Sequence, residues 1–556
     1  MKKGIALLLV IFLAFALLAA CNRAPVQSTS GSKLDIVSTK YGQVRGAKGT
    51  LHADVTIFKG IPYAAPPVGD LRWKPPQEPA PWQSVRDCVT YAPAALQNFG
   101  LAKTDVTIYG KEFYYDALPK TSEDCLYLNV ATAATSAEEK CPVYIWLHGG
   151  GLGAGWSYEP EFDPEALAKK GIVVVSVGQR LGIMGYLVLP ELSKESGYGA
   201  SGNYGLMDEI AALKWVKENI KNFGGDPDNI TVGGQSGGTA KTTGLLFSPE
   251  AKGLFHKIIL QSGLNQYMTF STQAELEKTG LDFIESIGLP RNTTLAELRK
   301  VDASKFIGDS STLEGFHAYV FKAPASMVID GKYLTRNASG DFLGQGTMNG
   351  IQMIYGINLG ESQYTKADNA ATFYKNMKTM FGDLYQKYDF ANLVKVTDAN
   401  ASDTARTLAS QTALMKGRIY GDLLYKNNQN VAAYCYLFSH FPPGRDEEKN
   451  WAFHTGEVWY TFNSLRDIPQ QRAWEDVDRA LANTMSSYWA NFMAKGNPNG
   501  EGLPTWPECN SSLAYLDLGD QVVAHTDITK LEEVIREYLQ TNPTAMQNRG
   551  TPFTAR

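Results

Sequence analysis

The segment "ITVGGQSGG", residues 230–238, joins a short β-branched apolar run to glycines that flank Ser236 on both sides. A phosphate-binding loop would require Lys and then Ser or Thr after the last glycine, but Thr239 and Ala240 stand there and Lys241 comes too late. Two interpretations remain: the segment is either a tight turn with no chemical role or a turn that positions a reactive serine.

Residues 234–238 match GxSxG, the pattern of a nucleophile elbow, in which a sharp turn between a strand and a helix exposes the serine hydroxyl. Glycines on both sides omit the Cβ atoms that would collide where the strand and the helix approach each other. So short a pattern recurs by chance, and by itself it leaves the ordinary turn open. A neutral serine hydroxyl is a poor nucleophile, so the chain must also supply a base, an acid and an oxyanion hole.

The elements around the elbow predict a mostly parallel sheet flanked by helices, because strands buried on both faces appear as continuous apolar runs. Residues 206–220 predict an amphipathic helix, with apolar side chains at steps of three and four. Long connections between the later strands predict large insertions around the sheet. The predicted strands are 143–147, 172–177, 230–232, 257–260, 352–357 and 431–438.

A second glycine cluster, "HGGGLGAG" at 148–155, follows the first of these strands. It matches a dinucleotide-binding loop only loosely, because the next strand runs into Gly178-Gln179-Arg180 without the acidic residue that would hold a ribose. An oxyanion hole fits better, since glycine lets backbone amides come within roughly 3 Å of a developing oxyanion. The expected donors are amides of this cluster and the amide after the serine.

The acid and the base should follow the serine in the order Ser, acid, His. Glu361 comes just after the predicted strand 352–357, and His454 follows the predicted strand 431–438 by one loop. Ser236, Glu361 and His454 therefore form a candidate triad, although a structural role is the alternative for any single histidine. Three other downstream histidines lie too close to the elbow, beside a Pro-Pro loop or ahead of the acid-bearing strand, namely His256, His440 and His317.

The bulk composition is that of a globular protein with a large core, since 44% of the 556 residues are hydrophobic and 11% are aromatic. The net charge of −5 gives no basic footprint, so nucleic acid is not an expected partner.

The N-terminus combines a short basic segment with the apolar run "GIALLLVIFLAFALLAA". This arrangement predicts an export signal at residues 1–20, and the alternative is a signal-anchor helix. "LAAC" at 18–21 resembles the signal of bacterial lipoproteins, which implies lipid modification of Cys21. The polar Ser/Gly/Pro stretch at 21–33 predicts a flexible tether. We expect an exported protein, anchored by lipid to a bacterial membrane, with a soluble body at 34–556.

Five cysteines remain besides Cys21, and they include no CxxC pair that would indicate a zinc or redox site, so no metal is predicted. Cys88 and Cys125 bracket one loop-like region and are the best-placed pair for a disulfide. Cys141 and Cys435 lie in or beside apolar runs, which favours buried thiols.

Longer motifs resemble the carboxylesterase type B family, which includes the cholinesterases and the bacterial para-nitrobenzyl esterases. They are "FKGIPYAAPPVGDLRWKPP" at 58–76, "SEDCLYLNV" at 122–130, the segment 202–238 that ends in the elbow, and "LQSG" at 260–263. The resemblance covers most of the chain. It implies the α/β-hydrolase fold and a serine carboxylesterase that works through an acyl-enzyme.

The resemblance also implies roles for individual residues: Ser236 as nucleophile, Glu361 as acid and His454 as base. For the oxyanion hole it implies three backbone donors, namely Gly150, Gly151 and Gly237. Such an enzyme needs no metal or organic cofactor, and its partner is a small-molecule ester, for example an aryl, alkyl or plant phenolic ester. The sequence leaves the oligomeric state open.

The chain departs from the family pattern at the elbow, where GESAG is usual and Gln235 and Gly237 stand instead. In cholinesterases the Glu beside the serine helps to favour a cationic substrate, so Gln235 makes a choline ester a less expected substrate. Leu152 stands where Phe is frequent, which predicts an altered acyl pocket, and Gln179 stands where Tyr is common. Cys88 lies several residues earlier than the first cysteine of the family's N-terminal disulfide. A catalytically silent adhesion or recognition protein is the alternative function, but such relatives typically lose a triad residue.

Overall fold

The central sheet is built around the parallel strands that the sequence predicts, and within the described residues its eleven strands run in one continuous order. The computed structural model describes residues 34–99, 118–263, 270–307, 326–336, 350–362, 364–427, 432–444, 451–467, 472–510 and 512–547. The described residues belong to one compact unit that starts at Leu34. Within them, no helix is both long enough and apolar enough to cross a membrane.

We number the strands of the central sheet in chain order: β1 Ala47–Lys48, β2 Thr56–Pro62, β3 Tyr127–Thr132, β4 Cys141–Leu147, β5 Val173–Val177, β6 Gly225–Gln235, β7 Lys257–Gln261, β8 Gln352–Asn358, β9 Ala433–Phe438, β10 Tyr515–Leu518 and β11 Val522–His525. Their spatial order is β1-β2-β3-β5-β4-β6-β7-β8-β9-β10-β11. Neighbours from β5 to β10 are parallel. Antiparallel pairs complete both edges. The predicted mostly parallel sheet is confirmed.

The longer helices of the described residues are α1 Tyr204–Asn219, α2 Gly237–Phe247, α3 Gln273–Ser286, α4 Ala370–Phe381, α5 Ala401–Asn427, α6 Asp476–Lys495 and α7 Lys530–Thr541. Shorter helices are Glu165–Lys169, Gly182–Tyr186, Pro190–Glu195, Leu295–Leu298, Asp383–Lys387, Phe390–Leu393, Val458–Phe462 and Pro543–Gln547. In the part of the chain that the structure describes, short strands outside the central sheet form three small sheets: Ile36–Thr39 with Gly42–Arg45 and Arg86–Asp87, Ala94–Ala95 with Thr121–Ser122, and Ser271–Thr272 with Val328–Ile329.

The strands are apolar on consecutive positions because the sheet has a core on each face. In β4, Val143, Ile145 and Leu147 pack into the core on one face. Tyr144 and Trp146 pack into the core on the other face. Each such side chain contributes about 2 kcal/mol of hydrophobic stabilisation relative to exposure.

Helix α1 differs from the amphipathic helix that its apolar spacing predicts, because it is buried on most of its circumference. Asp208, in its second turn, is fully buried and pairs with Arg180, with 2.6 Å between Nη2 and Oδ1. The Arg180 Nε also donates to Asp208 Oδ2, at 2.8 Å. The pair fixes α1 to the segment that follows β5.

The disulfide predicted between Cys88 and Cys125 is not formed, and both residues are free, buried thiols. Cys88 Sγ lies 4.0 Å from the carbonyl oxygen of Gly60, and burial raises the pKa of this thiol to about 11. Burial also raises the pKa of Cys125, on which the charges of Asp208 and Arg180 act. Both thiols lie in the same core cluster. Cys21, with the predicted signal and tether, lies outside the described residues.

Candidate active site

Ser236 lies in the turn between β6 and α2, as GxSxG predicts. Its backbone has φ 54° and ψ −117°, a strained conformation for a residue with a side chain. The Ser236 N–H donates to the carbonyl oxygen of Gln261 on β7, at 2.9 Å, and this bond fixes the turn. Residues 231–240 are all buried except Ser236, which is half-buried. The turn therefore presents the serine side chain at the carboxyl edge of the sheet.

The glycines of the elbow are required by close backbone approach. A Cβ at Gly237 would overlap the carbonyl oxygen of Gly151, and a Cβ at Gly238 would overlap the carbonyl oxygen of Leu147. The elbow can therefore pack directly against the end of β4 and the glycine segment that follows it.

His454 and Glu361 are brought together from two different loops. His454 Nδ1 lies 2.6 Å from Glu361 Oε2, and both side chains are largely buried. Glu361 follows β8, where its Oε1 accepts from the backbone N–H of Asn358 at 3.0 Å. A proton on Nδ1 donated to the carboxylate leaves Nε2 of His454 as an acceptor, which is the tautomer that a general base requires.

Gln235 covers the imidazole of His454. Its Nε2 lies 3.2 Å from His454 Nε2 and 3.5 Å from His454 Nδ1. A donor aligned with the lone pair of one ring nitrogen would be much farther from the other, so these near-equal distances put the amide over the ring face. Within the described part of the chain, the Ser236 hydroxyl forms no hydrogen bond.

A second buried carboxyl group, Glu457, lies beside the candidate triad and was not predicted from the sequence. Its oxygens accept from Asn358 Nδ2 at 2.5 Å and from Gln261 Nε2 at 3.2 Å. Burial, with the nearby charge of Glu361, raises the pKa of Glu457 to about 7. The carbonyl oxygen of Gln261 also accepts from the Ser236 amide, so this chain of hydrogen bonds links the turn at Ser236 to Glu361. The sequence feature that could have identified Glu457 is its position three residues after the candidate base, His454.

The glycine segment after β4 lies beside the elbow, since a Cβ at Gly149 would lie 3.7 Å from Ser236 Cβ. Gly150 and Gly151 have φ of 81° and 62°, which favour glycine. Among the described residues, the amides of Gly150, Gly151 and Gly237 have no hydrogen-bond acceptor. Gly237 also opens α2, whose amino terminus favours negative charge. These three amides are therefore available to an oxyanion.

Leu152, the candidate pocket residue, is only 8% exposed and packs in the main core. Its carbonyl oxygen accepts from the amide of Gly182 at 2.7 Å, which fixes the turn that follows the glycines. A role for Leu152 in an acyl pocket remains a prediction.

The histidines set aside on sequence grounds have other surroundings. His256 Nδ1 accepts from the Ile230 amide at 3.0 Å, at the amino-terminal end of the core strands. His440 bonds to Asp478 and Asp520. His317 lies outside the described residues. In the described part of the chain, no group of three or more His, Cys, Asp or Glu side chains could hold a metal ion.

Comparisons with known proteins identify the family of the chain. The carboxylesterase family model matches residues 33–535. A fumonisin B1 esterase of Sphingopyxis macrogoltabida is 32% identical, over 92% of this chain and 91% of that protein. A para-nitrobenzyl esterase of Bacillus subtilis is 33% identical, over 85% of this chain and 92% of that protein. Among solved structures, a PNB esterase has a TM-score of 0.72 at 29% identity, over 90% of this chain and 99% of that one.

The strand order, the elbow and these relatives confirm the predicted α/β-hydrolase fold, and they do not favour a catalytically silent protein. The chain therefore belongs to the carboxylesterase family, as a serine esterase.

Proposed function

We propose that Ser236 is the nucleophile of this esterase, with His454 as general base and Glu361 as the acid that orients it. The observation that carries this assignment is the 2.6 Å contact between His454 Nδ1 and Glu361 Oε2 beside the strained Ser236 turn. A carboxylate on Nδ1 keeps the proton there and stabilises the imidazolium that forms when Nε2 takes the serine proton.

In the proposed reaction, Ser236 Oγ attacks the ester carbonyl carbon as His454 Nε2 accepts the hydroxyl proton. The carbonyl oxygen becomes an oxyanion, for which we assign the amides of Gly150, Gly151 and Gly237 as donors. His454 then returns the proton to the departing alcohol, which leaves an acyl group on Ser236. Water repeats the sequence on the acyl-enzyme and releases the acid.

For the substrate, we propose an uncharged carboxylic ester. Gln235 supports this choice, because it sets a neutral amide rather than a carboxylate against the site. Two relatives are named for the esters of para-nitrobenzyl alcohol and for fumonisin B1. For the anchor, we propose lipid modification of Cys21 and export, supported by "LAAC" at 18–21. Loss of fatty-acid incorporation in Cys21→Ser is the expected result, and equal incorporation would contradict it.

The triad assignment is tested by substitution and active-site labelling. We expect Ser236→Ala to lose labelling by a fluorophosphonate probe. Ser236→Ala and His454→Ala should each lower kcat about 10⁴-fold or more, because the residues of a triad act together in the same reaction step. Ser248→Ala is the matched control, since Ser248 is a buried serine at the other end of α2. Equal labelling of Ser236→Ala and the wild type would exclude Ser236 as the nucleophile.

A further inference from the structure

Lys241 is a fully buried cation behind the glycine segment of the active site. It lies on α2, five residues after Ser236, and its side chain is 0% exposed. Its Nζ donates to the carbonyl oxygen of His148, at 2.9 Å. Since His148 directly precedes Gly149–Gly151, the ammonium group binds the peptide from which the glycine segment starts.

Gln179 gives this lysine a second fixed contact. The Gln179 amide is oriented so that its oxygen accepts from Lys241 Nζ at 2.6 Å and its nitrogen donates to Val177 O at 2.8 Å, with the oxygen 2.9 Å from His148 Nε2. In the opposite orientation, the amide oxygen would face the carbonyl oxygen of Val177 and the amide nitrogen would face Lys241 Nζ. Lys241, Gln179 and His148 therefore form one buried polar cluster, which joins α2, the end of β5 and the end of β4.

The acids that face Lys241 do not form an ion pair with it in the described residues. Glu209, on α1, is 0% exposed, and neither of its carboxyl oxygens has a hydrogen bond there. Burial raises the pKa of Glu209 to about 8, against the opposing charge of Lys241. Burial raises the pKa of Glu159 as well, and the Trp156 amide donates to its carboxyl group at 2.8 Å.

The lysine itself is mostly charged at neutral pH. Burial lowers the pKa of Lys241 to about 8, against the opposing influence of Glu209 and Glu159. The neighbouring imidazole of His148 stays neutral, because burial and the charge of Lys241 lower its pKa well below the ordinary value. The cluster thus places a buried amino group on the helix that begins directly after Ser236.

We propose that Lys241 is a positioning residue of the oxyanion hole, which rests on the mechanism proposed above. Lys241 does not touch the substrate. It fixes the peptide before Gly149–Gly151 against α2, so that the loop amides keep their direction. Its charge also favours the oxyanion over the neutral ester, since a charge in a water-excluded site acts over a longer range than in water.

The test is Lys241→Met, which keeps the length of the side chain and removes its charge and its donors. We expect kcat to fall about tenfold or more, with KM little changed, because the interaction matters only when negative charge develops. Affinity for a trifluoromethyl ketone, which adds to the serine as an oxyanion, should fall by a similar factor. Wild-type kcat/KM should also decline above about pH 8 as Lys241 loses its proton, and the variant should lack this decline.

Lys257→Met is the matched control. Lys257 is also buried, burial lowers its pKa to about 8 as well, and it begins β7 at the end of the strand away from the elbow. We expect this variant to keep the wild-type kcat and pH profile. An alkaline decline that disappears in Lys257→Met and persists in Lys241→Met would overturn the proposal.

Glu209→Gln tests the proposal without changing the lysine. The negative charge of Glu209 favours the charged form of Lys241, so its removal should move the alkaline decline to lower pH. If Lys241→Met does not fold, the test rests on the kcat/KM profiles of Glu209→Gln and of the wild type. A wild-type kcat/KM that stays constant well above pH 8 contradicts the proposal. Failure of the wild type to react with a fluorophosphonate would instead contradict the triad mechanism.

Discussion

At the scale of single residues, Gln235 lies between the proposed nucleophile, Ser236, and the proposed base, His454. It directly precedes Ser236, and its amide lies over the imidazole face of His454 at 3.2 Å from Nε2. A neutral group in this place adds no net charge to the imidazolium. A carboxylate in the same place would attract the imidazolium and disfavour the neutral base.

Gln235→Glu should therefore move the acidic limb of the kcat/KM profile to higher pH by about one pH unit, because more of His454 is protonated at a given pH. The same variant should increase kcat/KM for a choline ester relative to an uncharged ester of the same acyl group. Both are measured by steady-state kinetics across pH. Gln235→Met, which adds no charge, should leave the position of the limb unchanged, and an unshifted limb in Gln235→Glu would contradict the argument.

At the scale of elements, the site depends on how closely α2 approaches the end of β4. Gly238 is in the first turn of α2, and a Cβ there would overlap the carbonyl oxygen of Leu147, the last residue of β4. Because the obstacle is backbone, it cannot move by changing a rotamer. The short contact is thus a property of the packing of the two elements.

Gly238→Ala should destabilise the protein by about 2 kcal/mol and lower kcat, since either α2 or the oxyanion segment has to shift. Urea unfolding and steady-state kinetics measure the two effects. Gly288→Ala is the control, because a Cβ at Gly288 meets open space and only its φ of 80° is unfavourable, a cost of about 1 kcal/mol. A Gly238→Ala protein with wild-type stability and kcat would show that the approach is not required.

The core strands could be predicted from the sequence because each is a continuous apolar run. The predicted strand 352–357 is β8, Gln352–Asn358, and the predicted strand 172–177 is β5, Val173–Val177. Periodicity could not show that the polar residues of α1 turn inward. Asp208 is buried because Arg180, 28 positions away in sequence, lies opposite it. Only the folded chain brings such partners together.

The residues of the candidate site could also be predicted only in part from the sequence. Glu361 and His454 could be predicted because each follows a strand, where open α/β folds place functional side chains. Glu457 and Lys241 could not, because acids and lysines are usually exposed and no local pattern marks their burial. The prediction of a disulfide between Cys88 and Cys125 was wrong, because two residues that flank a loop in sequence need not lie close together in the fold.

At the scale of the whole molecule, His440 joins three distant segments. Its Nε2 lies 2.8 Å from Asp478 Oδ1 on α6, and its Nδ1 lies 2.6 Å from Asp520 Oδ1 in the turn between β10 and β11. Burial acts to lower the pKa of His440, but the hydrogen bonds with Asp478 and Asp520 outweigh it, and the net result is a raised pKa. Charged His440 therefore ties the end of β9 to α6 and to the edge of the sheet.

A raised pKa in the folded state means that the stabilisation by His440 is complete below the unfolded value of about 6.5 and is lost as pH rises through the folded value. His440→Gln should cost about 2 kcal/mol at pH 6, since it leaves the buried Asp478 without its cation, and less at alkaline pH. Urea unfolding of both proteins across pH measures this difference. A difference that grows with rising pH would have the wrong sign.

The account as a whole depends on a covalent acyl group on Ser236. A slowly deacylated aryl ester, such as p-nitrophenyl pivalate, can be mixed with the full chain, quenched in acid during the first turnover and analysed by intact and peptide mass spectrometry. We predict one acyl addition per chain on the peptide that contains Ser236, and none in Ser236→Ala. An acyl group on another residue, or steady-state hydrolysis by Ser236→Ala at the wild-type rate, would contradict the account.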